Sequence, residues 1–177
     1  QLFVGADSNR WDVYPLKSEA QNHNALMDFT RKVGAPNLLK CDNAQSEIGQ
    51  TWSAHCRKHC IDTRTTEPYH PWQNPVKNQI GRLGSMVRTI LRECNAPLNM
   101  HDWAQKWFCD CHNVLALRSR QWRTPLELNS GVTPDISKFR FNFWEPVWLF
   151  QPTKAPENNW KRARWLGFAE SCGDNMT

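Results

Sequence analysis

Residues Cys41 to Gly84 read CDNAQSEIGQTWSAHCRKHCIDTRTTEPYHPWQNPVKNQIGRLG. An apolar strand at 37–40 precedes them, so the acidic residue Asp42 comes directly after a strand end. A helical segment follows, and then a loop with three prolines between 67 and 75, which excludes a helix or a central strand there. Apolar residues then recur at helical spacing from Ile80 to Leu91. The stretch predicts a strand with a carboxylate at its end, a helix, a loop and a second helix.

The segments on either side predict an α/β protein. Short apolar runs at 2–4 and 11–16, joined by Asp7-Ser8-Asn9-Arg10, predict a β-hairpin. A helix is expected at 19–33 before Gly34, and a buried strand at Leu38 and Leu39. Further helices are expected at 100–117, with Trp103, Trp107, Cys111 and Leu115 facing inward, and at Pro125. This order predicts a mixed sheet with helices on both faces in residues 1–130, followed by a linker and a small β-rich tail in 131–177.

Composition excludes two broad classes of protein. The chain has 177 residues, is 40% hydrophobic and contains ten Trp, which is enough to build a packed core and argues against disorder. No run approaches eighteen apolar residues, so no membrane span is expected, and the first residues do not resemble a signal peptide. The net charge of +5 suits a phosphate-rich partner without requiring one.

The seven cysteines are scattered and lack the C-x-x-C pairs of a strong zinc signature. His55 and His59 lie four residues apart, as do Cys56 and Cys60. Such pairs on a helix can hold a metal, but they more often belong to a core or an interface, so zinc is not expected. Free thiols predict a reducing compartment, the cytosol or the nucleus.

A basic cluster near the end of the chain leaves two interpretations open. Lys161, Arg162 and Arg164 alternate with Trp160 and Trp165. This composition suits contact with a nucleic-acid backbone together with aromatic stacking. It equally suits a strand with a solvated basic face and a buried Trp face.

Three patches together resemble the integrase core of copia-like LTR retrotransposons, a branch of the retroviral integrase superfamily. They are FVGADSNRWDVYPLKSEAQ at 3–21, LLKCDNAQSE at 38–47 and EPYHPWQNPVKNQIGRLGSMVRTIL at 67–91. WRTPLELNSGVTPDIS at 122–137 and RARWLGFAES at 162–171 extend the resemblance to nearly the whole chain. The resemblance implies an RNase H-like mixed five-stranded sheet flanked by helices. The first strand of that sheet, central in the fold, is missing here, which suggests an N-terminally truncated fragment of a longer polyprotein.

The resemblance also implies a reaction and its site. Members of this family transfer DNA strands with Mg²⁺ or Mn²⁺ held by two Asp and one Glu. Asp42 matches the second Asp and is the expected metal ligand. The Glu position, thirty-five residues onward, holds Asn78, whose neutral amide is a poor substitute. Asp7 is either a metal ligand or, as its turn-like neighbours favour, a residue of the hairpin turn.

DNA contacts are implied at further positions, which are His70, Asn74, Lys77, Arg82, Arg88, Lys161, Arg162 and Arg164. Alternatively, His70 fixes its loop by hydrogen bonds. Arg82 and Arg88 could likewise form only the solvated side of their helix. The chain is therefore expected to be the integrase core of a eukaryotic retroelement, with impaired catalysis. Its expected location is intracellular, in the nucleus or the cytoplasm. The alternative is a domesticated, non-catalytic scaffold that forms a homo-oligomer or joins a larger protein assembly.

Overall fold

The structure is a computed structural model that describes residues 1–42, 47, 49–67, 75–152 and 159–169. The chain forms two compact units, Gln1–Leu83 and Gly84–Thr177. The boundary expected at residue 130 falls inside the second unit, which also contains the β-rich tail. None of the helices in the described ranges is long and apolar enough to cross a bilayer.

The first unit begins with the predicted hairpin. Strands β1 (Leu2–Val4) and β2 (Trp11–Val13) pair antiparallel, with Phe3 opposite Asp12. The turn is closed by the N–H of Gly5, which donates to the carbonyl of Arg10 at 2.8 Å. A Cβ atom at Gly5 would collide with the hydroxyl of Ser8, so this tight turn needs glycine there.

A second, parallel pair follows in the same unit. Strand β3 (Leu38–Cys41) pairs with β4 (Asp62–Thr65), with Leu38 opposite Asp62 and Cys41 opposite Thr65. Helix α2 (Gln50–Lys58) lies between the two strands in sequence. Parallel strands need such a crossover connection, because a tight turn can only join antiparallel strands.

The predicted α/β class is confirmed. The six strands of the described residues pair as three separate two-stranded sheets. No ladder joins the β1–β2 hairpin to the β3–β4 pair within these ranges.

Helix α1 (Asn22–Val33) supplies much of the core of the first unit. A 3₁₀ turn, Glu19–Gln21, precedes it, and Gly34 ends it with a φ of 107°. Its buried side chains pack in a cluster made of Phe3, Ala25, Leu26, Trp52, Cys56 and Ile61. The strand predicted to be buried is not, because Leu38 is exposed and Leu39 only half-buried. With one described partner strand, β3 buries fully only Cys41.

Helix α3 (Pro75–Glu93) spans the division between the units. It buries Leu83, Val87 and Leu91, as the helical spacing predicts. Ile80, expected on the same face, is exposed.

Helix α4 (His101–Val114) corrects one prediction of the sequence. Trp107 is buried as expected, but Trp103 and Leu115 are more than half exposed. The expected row used a spacing of four residues throughout. Such a row drifts by about 40° at each step, so its ends leave the buried side. The buried residues of α4 are Ala104, Trp107, Cys109, His112 and Asn113.

The chain then forms the predicted short helix and the β tail. Helix α5 (Pro125–Ser130) begins with Pro, and the hydroxyl of Thr124 accepts a hydrogen bond from the N–H of Glu127 at 3.0 Å. Strands β5 (Pro146–Phe150) and β6 (Trp160–Arg164) pair antiparallel. An aromatic cluster anchors this second hairpin to α4, with members Trp107, Phe139, Phe141, Trp165 and Phe168.

Candidate functional site

Asp42 lies where the sequence predicts, directly after the last residue of β3. Its carboxylate accepts a hydrogen bond from the hydroxyl of Thr66 at 3.5 Å. The ammonium of Lys77, in the first turn of α3, lies 3.1 Å from the other carboxylate oxygen. Lys77 therefore pairs with Asp42, and the DNA contact that the resemblance implies for it stays a prediction.

A second carboxylate lies beside Asp42 and was missed by the sequence analysis. The side chain of Glu47 accepts from the backbone N–H of Asp42 at 3.0 Å and from the amide of Gln1 at 3.1 Å. It thus connects the start of β1 to the end of β3. The only sequence signal was an acidic residue five positions after a strand-end aspartate, and no motif assigned it a role.

The environment of Glu47 raises the pKa of its carboxyl above the ordinary value. Burial raises the pKa of this carboxyl, and the nearby charge of Asp42 raises it further. The hydrogen bonds from Gln1 and from the backbone of Asp42 act in the opposite direction without cancelling the effect. Two carboxyl groups, those of Asp42 and Glu47, therefore lie at this end of the unit.

These groups line a polar cavity of about 460 Å³ within the first unit. Its walls include Gln1, Ser18, Glu19, Asn22, Asp42 and Glu47. The neighbouring thiol of Cys41 is buried, and desolvation together with the charge of Glu47 raises its pKa to about 11. Cys41 is therefore a protonated, unreactive thiol at neutral pH.

The described residues do not fit a pair of divalent cations. Mg²⁺ and Mn²⁺ prefer several carboxylate oxygens, but both oxygens of Asp42 already have partners in Lys77 and Thr66. Asn78 is exposed on α3 and offers only a neutral amide. No group of three or more Asp, Glu, His or Cys side chains suited to a metal occurs among the described residues.

The structure does not bring Asp7 to Asp42. Asp7 lies exposed in the hairpin turn, beyond the end of β1. Gln1, which reaches Glu47 beside Asp42, lies at the other end of that strand. The four residue steps from Gln1 to Gly5 span about 13 Å. Asp7 thus has the position of a turn residue.

The basic residues expected to contact DNA belong to several different elements. His70 and Asn74 lie outside the described residues. Arg82 is exposed and donates to the side chain of Gln79 at 3.3 Å, and Arg88 is exposed as well. Six residues separate these two arginines, so they point about 120° apart around α3.

The β5–β6 hairpin divides the C-terminal cations between its two faces. Residues directly opposite each other on paired strands share a face, and the register pairs Trp148 with Arg162 and Phe150 with Trp160. Arg164 lies on this face too, and Lys161 lies on the other. We call the side formed by Trp148, Phe150, Trp160, Arg162 and Arg164 the arginine–aromatic face.

Of the two interpretations of this basic cluster, the strand with a buried Trp face opposite a basic face is wrong, and contact with a nucleic acid stays a prediction. Trp160 is exposed on the same face as the arginines, so no buried Trp face stands opposite a basic one. Trp165 lies on the other side and packs against Phe141 and Phe168, with ring centroids 5.1 and 5.8 Å apart.

The histidine pair of α2 has a structural role. The hydroxyl of Thr30 donates to the carbonyl of Leu26 at 2.7 Å and lies 3.1 Å from Nε2 of His55. Because that hydroxyl proton is already used, Nε2 of His55 is the donor. Burial lowers the pKa of His55, and His59, whose ring centroid is 4.5 Å away, lowers it further. The six cysteines in the described ranges are free thiols.

Comparison with known proteins identifies the fold. No protein-family model matches the sequence, and no curated protein does. A chain of the simian T-cell lymphotropic virus intasome in complex with PP2A regulatory subunit B56 gamma is similar over 92% of this chain, with a TM-score of 0.62 and 17% identity. The match covers 61% of that intasome chain, so this chain spans about three fifths of it.

Two isolated catalytic cores are similar as well. The HTLV-2 integrase catalytic core domain, in complex with magnesium, gives a TM-score of 0.58 at 19% identity. The BIV integrase catalytic core domain gives 0.54 at 18% identity. Each match covers 72% of this chain and 82% of the other. The chain therefore has the fold of retroviral integrase catalytic cores, which is RNase H-like.

Proposed function

We propose that this chain is the core region of a copia-like retrotransposon integrase whose strand-transfer activity is impaired. The fold of integrase cores and the order of the motifs support the ancestry. The observation that carries the impairment is the 3.1 Å ion pair between Lys77 and Asp42. A lysine ammonium there takes the position that a metal ion would need at the strand-end carboxylate.

The physical argument is competition between two kinds of cation. A divalent ion at Asp42 would have to displace Lys77 and would then be repelled by its charge. The neutral Asn78 adds no compensating anion. A half-exposed ion pair contributes only about 0.2–1 kcal/mol, so a single substitution is enough to release Asp42.

Calorimetric titration with Mn²⁺ and Mg²⁺ tests this proposal without relying on activity. The unchanged chain should show no saturable binding at millimolar metal. Lys77→Gln, which keeps the length of the side chain and removes its charge, should gain weak binding. Adding Asp42→Asn to that variant should abolish it. Arg82→Gln is the matched control, because it removes a charge from the same helix without touching Asp42.

A strand-transfer assay on a labelled oligonucleotide provides the second test. The unchanged chain should give little or no product with either metal. Robust product formation that Asp42→Ala abolishes would contradict the impaired reading and restore an active enzyme.

DNA is the proposed partner, and the proposed location is the nucleus or cytoplasm. The net charge of +5 and the exposed Arg82 and Arg88 on α3 support binding to phosphates. Affinity for duplex DNA should fall steeply with added salt, and Arg88→Ala should lessen that dependence. Imaging of the tagged chain in a eukaryotic cell tests the location; secretion would exclude it.

The alternative function is a non-catalytic subunit of a homo-oligomer or a larger assembly. Large apolar side chains exposed in the second unit favour it, and they include Leu98, Trp103, Trp122 and Trp148. Analytical ultracentrifugation distinguishes the two functions. Concentration-dependent association that Trp122→Ala weakens would support a subunit, whereas a monomer that binds DNA supports the first function.

A further inference from the structure

The β5–β6 hairpin has two chemically different faces. On one side, Val147 and Ala163 are half-buried, and Trp165 continues this side into the aromatic cluster of the second unit. Leu149 and Lys161, farther along this side, are exposed. On the other side, Trp148, Phe150 and Trp160 are all more than half exposed. The hairpin is therefore anchored by one face, and its arginine–aromatic face is left to solvent.

The exposed rings of this face lie next to its cations. Arg162 lies directly opposite Trp148, and Phe150 meets Trp160 edge to face with ring centroids 5.1 Å apart. At the end of the row, the guanidinium of Arg164 lies 5.5 Å from the ring of Trp144 and donates to its carbonyl at 3.1 Å. Flat aromatic rings thus lie beside guanidinium groups, which can form bidentate hydrogen bonds to an anion.

The charge of the hairpin identifies the kind of partner. Its two strands contain three cations, Lys161, Arg162 and Arg164, and no acidic residue. Glu145 lies just before β5, and its carboxylate accepts a hydrogen bond from the backbone N–H of Asn142 at 2.7 Å. A partner for this surface must carry repeated negative charge and expose flat rings.

We propose that the arginine–aromatic face binds an unpaired strand of nucleic acid. Bases stack on Trp148 and on the Phe150–Trp160 pair, while Arg162 and Arg164 contact the phosphates. In a duplex the faces of the bases are already stacked on each other, so only the phosphates could be contacted. A second copy of this chain fits less well, because it would bring the same two arginines to the interface.

The inference shares with the proposed function only the expectation of nucleic-acid binding, and it uses a different site. Neither Asp42 nor Lys77 takes part in it. Substitutions at those two residues should leave single-strand affinity unchanged, so failure of one proposal does not entail failure of the other.

Fluorescence anisotropy on the full chain tests the inference with three labelled probes of equal length. These are oligothymidylate DNA, oligouridylate RNA and a DNA duplex. At least one single-stranded probe should bind about tenfold more tightly than the duplex, and the two polymers together show whether the sugar matters. Trp148→Ala should weaken single-strand binding about tenfold, while Trp148→Phe, which keeps a ring, should retain most of it.

The cations are tested by the salt dependence of binding. Replacing both Arg162 and Arg164 by Ala should lower the slope of log affinity against log salt by about 1.4 for a single strand, since each phosphate contact contributes about 0.7. Lys161→Ala is the matched control, because it removes one charge from the opposite face. Trp103→Ala, an exposed Trp on α4, controls for the loss of any surface Trp. Circular dichroism of each variant verifies that the fold is kept.

Three results would overturn the inference. The first is a duplex bound as tightly as both single strands. The second is a loss of affinity in Trp103→Ala or Lys161→Ala as large as in their counterparts on the face. The third is a chain that binds no single strand but forms dimers that Trp148→Ala dissociates, which would assign the face to a second copy.

Discussion

The two antiparallel hairpins of this chain use aromatic residues for opposite purposes. In β1–β2, Phe3 and Trp11 are buried, and Trp11 is only 1% exposed. In β5–β6, Trp148 is 66% exposed and its neighbours on the same face are also open. The same backbone motif thus supports a core in one unit and presents a surface in the other.

The charged residues of the two hairpins follow the same division. In the first, the carboxylate of Asp12 is buried and lies 2.7 Å from the guanidinium of Arg10 and 3.6 Å from the ammonium of Lys32. Buried charges must be paired to be tolerated, so these three residues serve the fold. In the second hairpin, the strands carry cations without acids, which suits an anionic partner.

The largest expected effect separates the two hairpins by stability. Trp11→Ala should lower the free energy of unfolding by about 4 kcal/mol, because it removes a large, fully buried side chain and leaves a cavity. Trp148→Ala, an identical change in the exposed hairpin, should stay within about 0.5 kcal/mol. Urea denaturation followed by circular dichroism measures both. Equal losses would mean that the second hairpin also buries its aromatic face.

The next effect concerns the buried ion pair. Asp12→Ala should destabilise the chain by about 3 kcal/mol, since it leaves Arg10 buried without its carboxylate. Asp28→Ala is the matched control, because Asp28 pairs with Arg31 at 2.9 Å on the exposed side of α1. Loss of that surface pair should cost no more than about 0.5 kcal/mol. If the control were as damaging as Asp12→Ala, burial would not explain the difference.

The smallest expected effect depends on pH and concerns the contact between β1 and β3. Because the pKa of Glu47 is raised above its ordinary value of 4.5, the folded chain holds this proton more tightly than the unfolded chain. Stability from this group is present below pH 4.5 and is lost as the pH rises through the raised pKa. Glu47→Gln, which has no such proton, should gain stability relative to the unchanged chain between pH 4.5 and pH 7.

Unfolding at several pH values measures that difference, which should stay below about 1 kcal/mol. A Glu47→Gln variant that loses relative stability as the pH rises would reverse the sign and mean that the ionised carboxylate is the favoured form.

Local patterns predicted much of the fold because they act over a few residues. The Asp7–Arg10 turn, Gly34 at the end of α1 and Pro125 at the start of α5 all depend on neighbours in sequence. Predictions of which side a helix buries were weaker. Trp103 and Leu115 were expected inside and are exposed, because a four-residue row does not follow the helix axis over three turns.

The candidate site was only partly predictable for a different reason. Asp42 follows from its position after a strand, whereas Asn78 was singled out only by its spacing from Asp42. The contacts of Glu47 with Gln1 and of Lys77 with Asp42 join residues far apart in the chain. No local pattern encodes such long-range pairs, so the sequence assigned Lys77 to DNA and gave Glu47 no role.

In the β5–β6 hairpin, the face on which a side chain lies depends on whether its position in the strand is odd or even. Side chains alternate between faces, so inserting a single residue into β6 beside Arg162 would exchange the inward and outward sets beyond it. Inserting two residues would lengthen the strand and keep the sets in place. Relatives of this chain that retain the same surface should therefore differ in strand length by even numbers, whatever the length of the connecting loop.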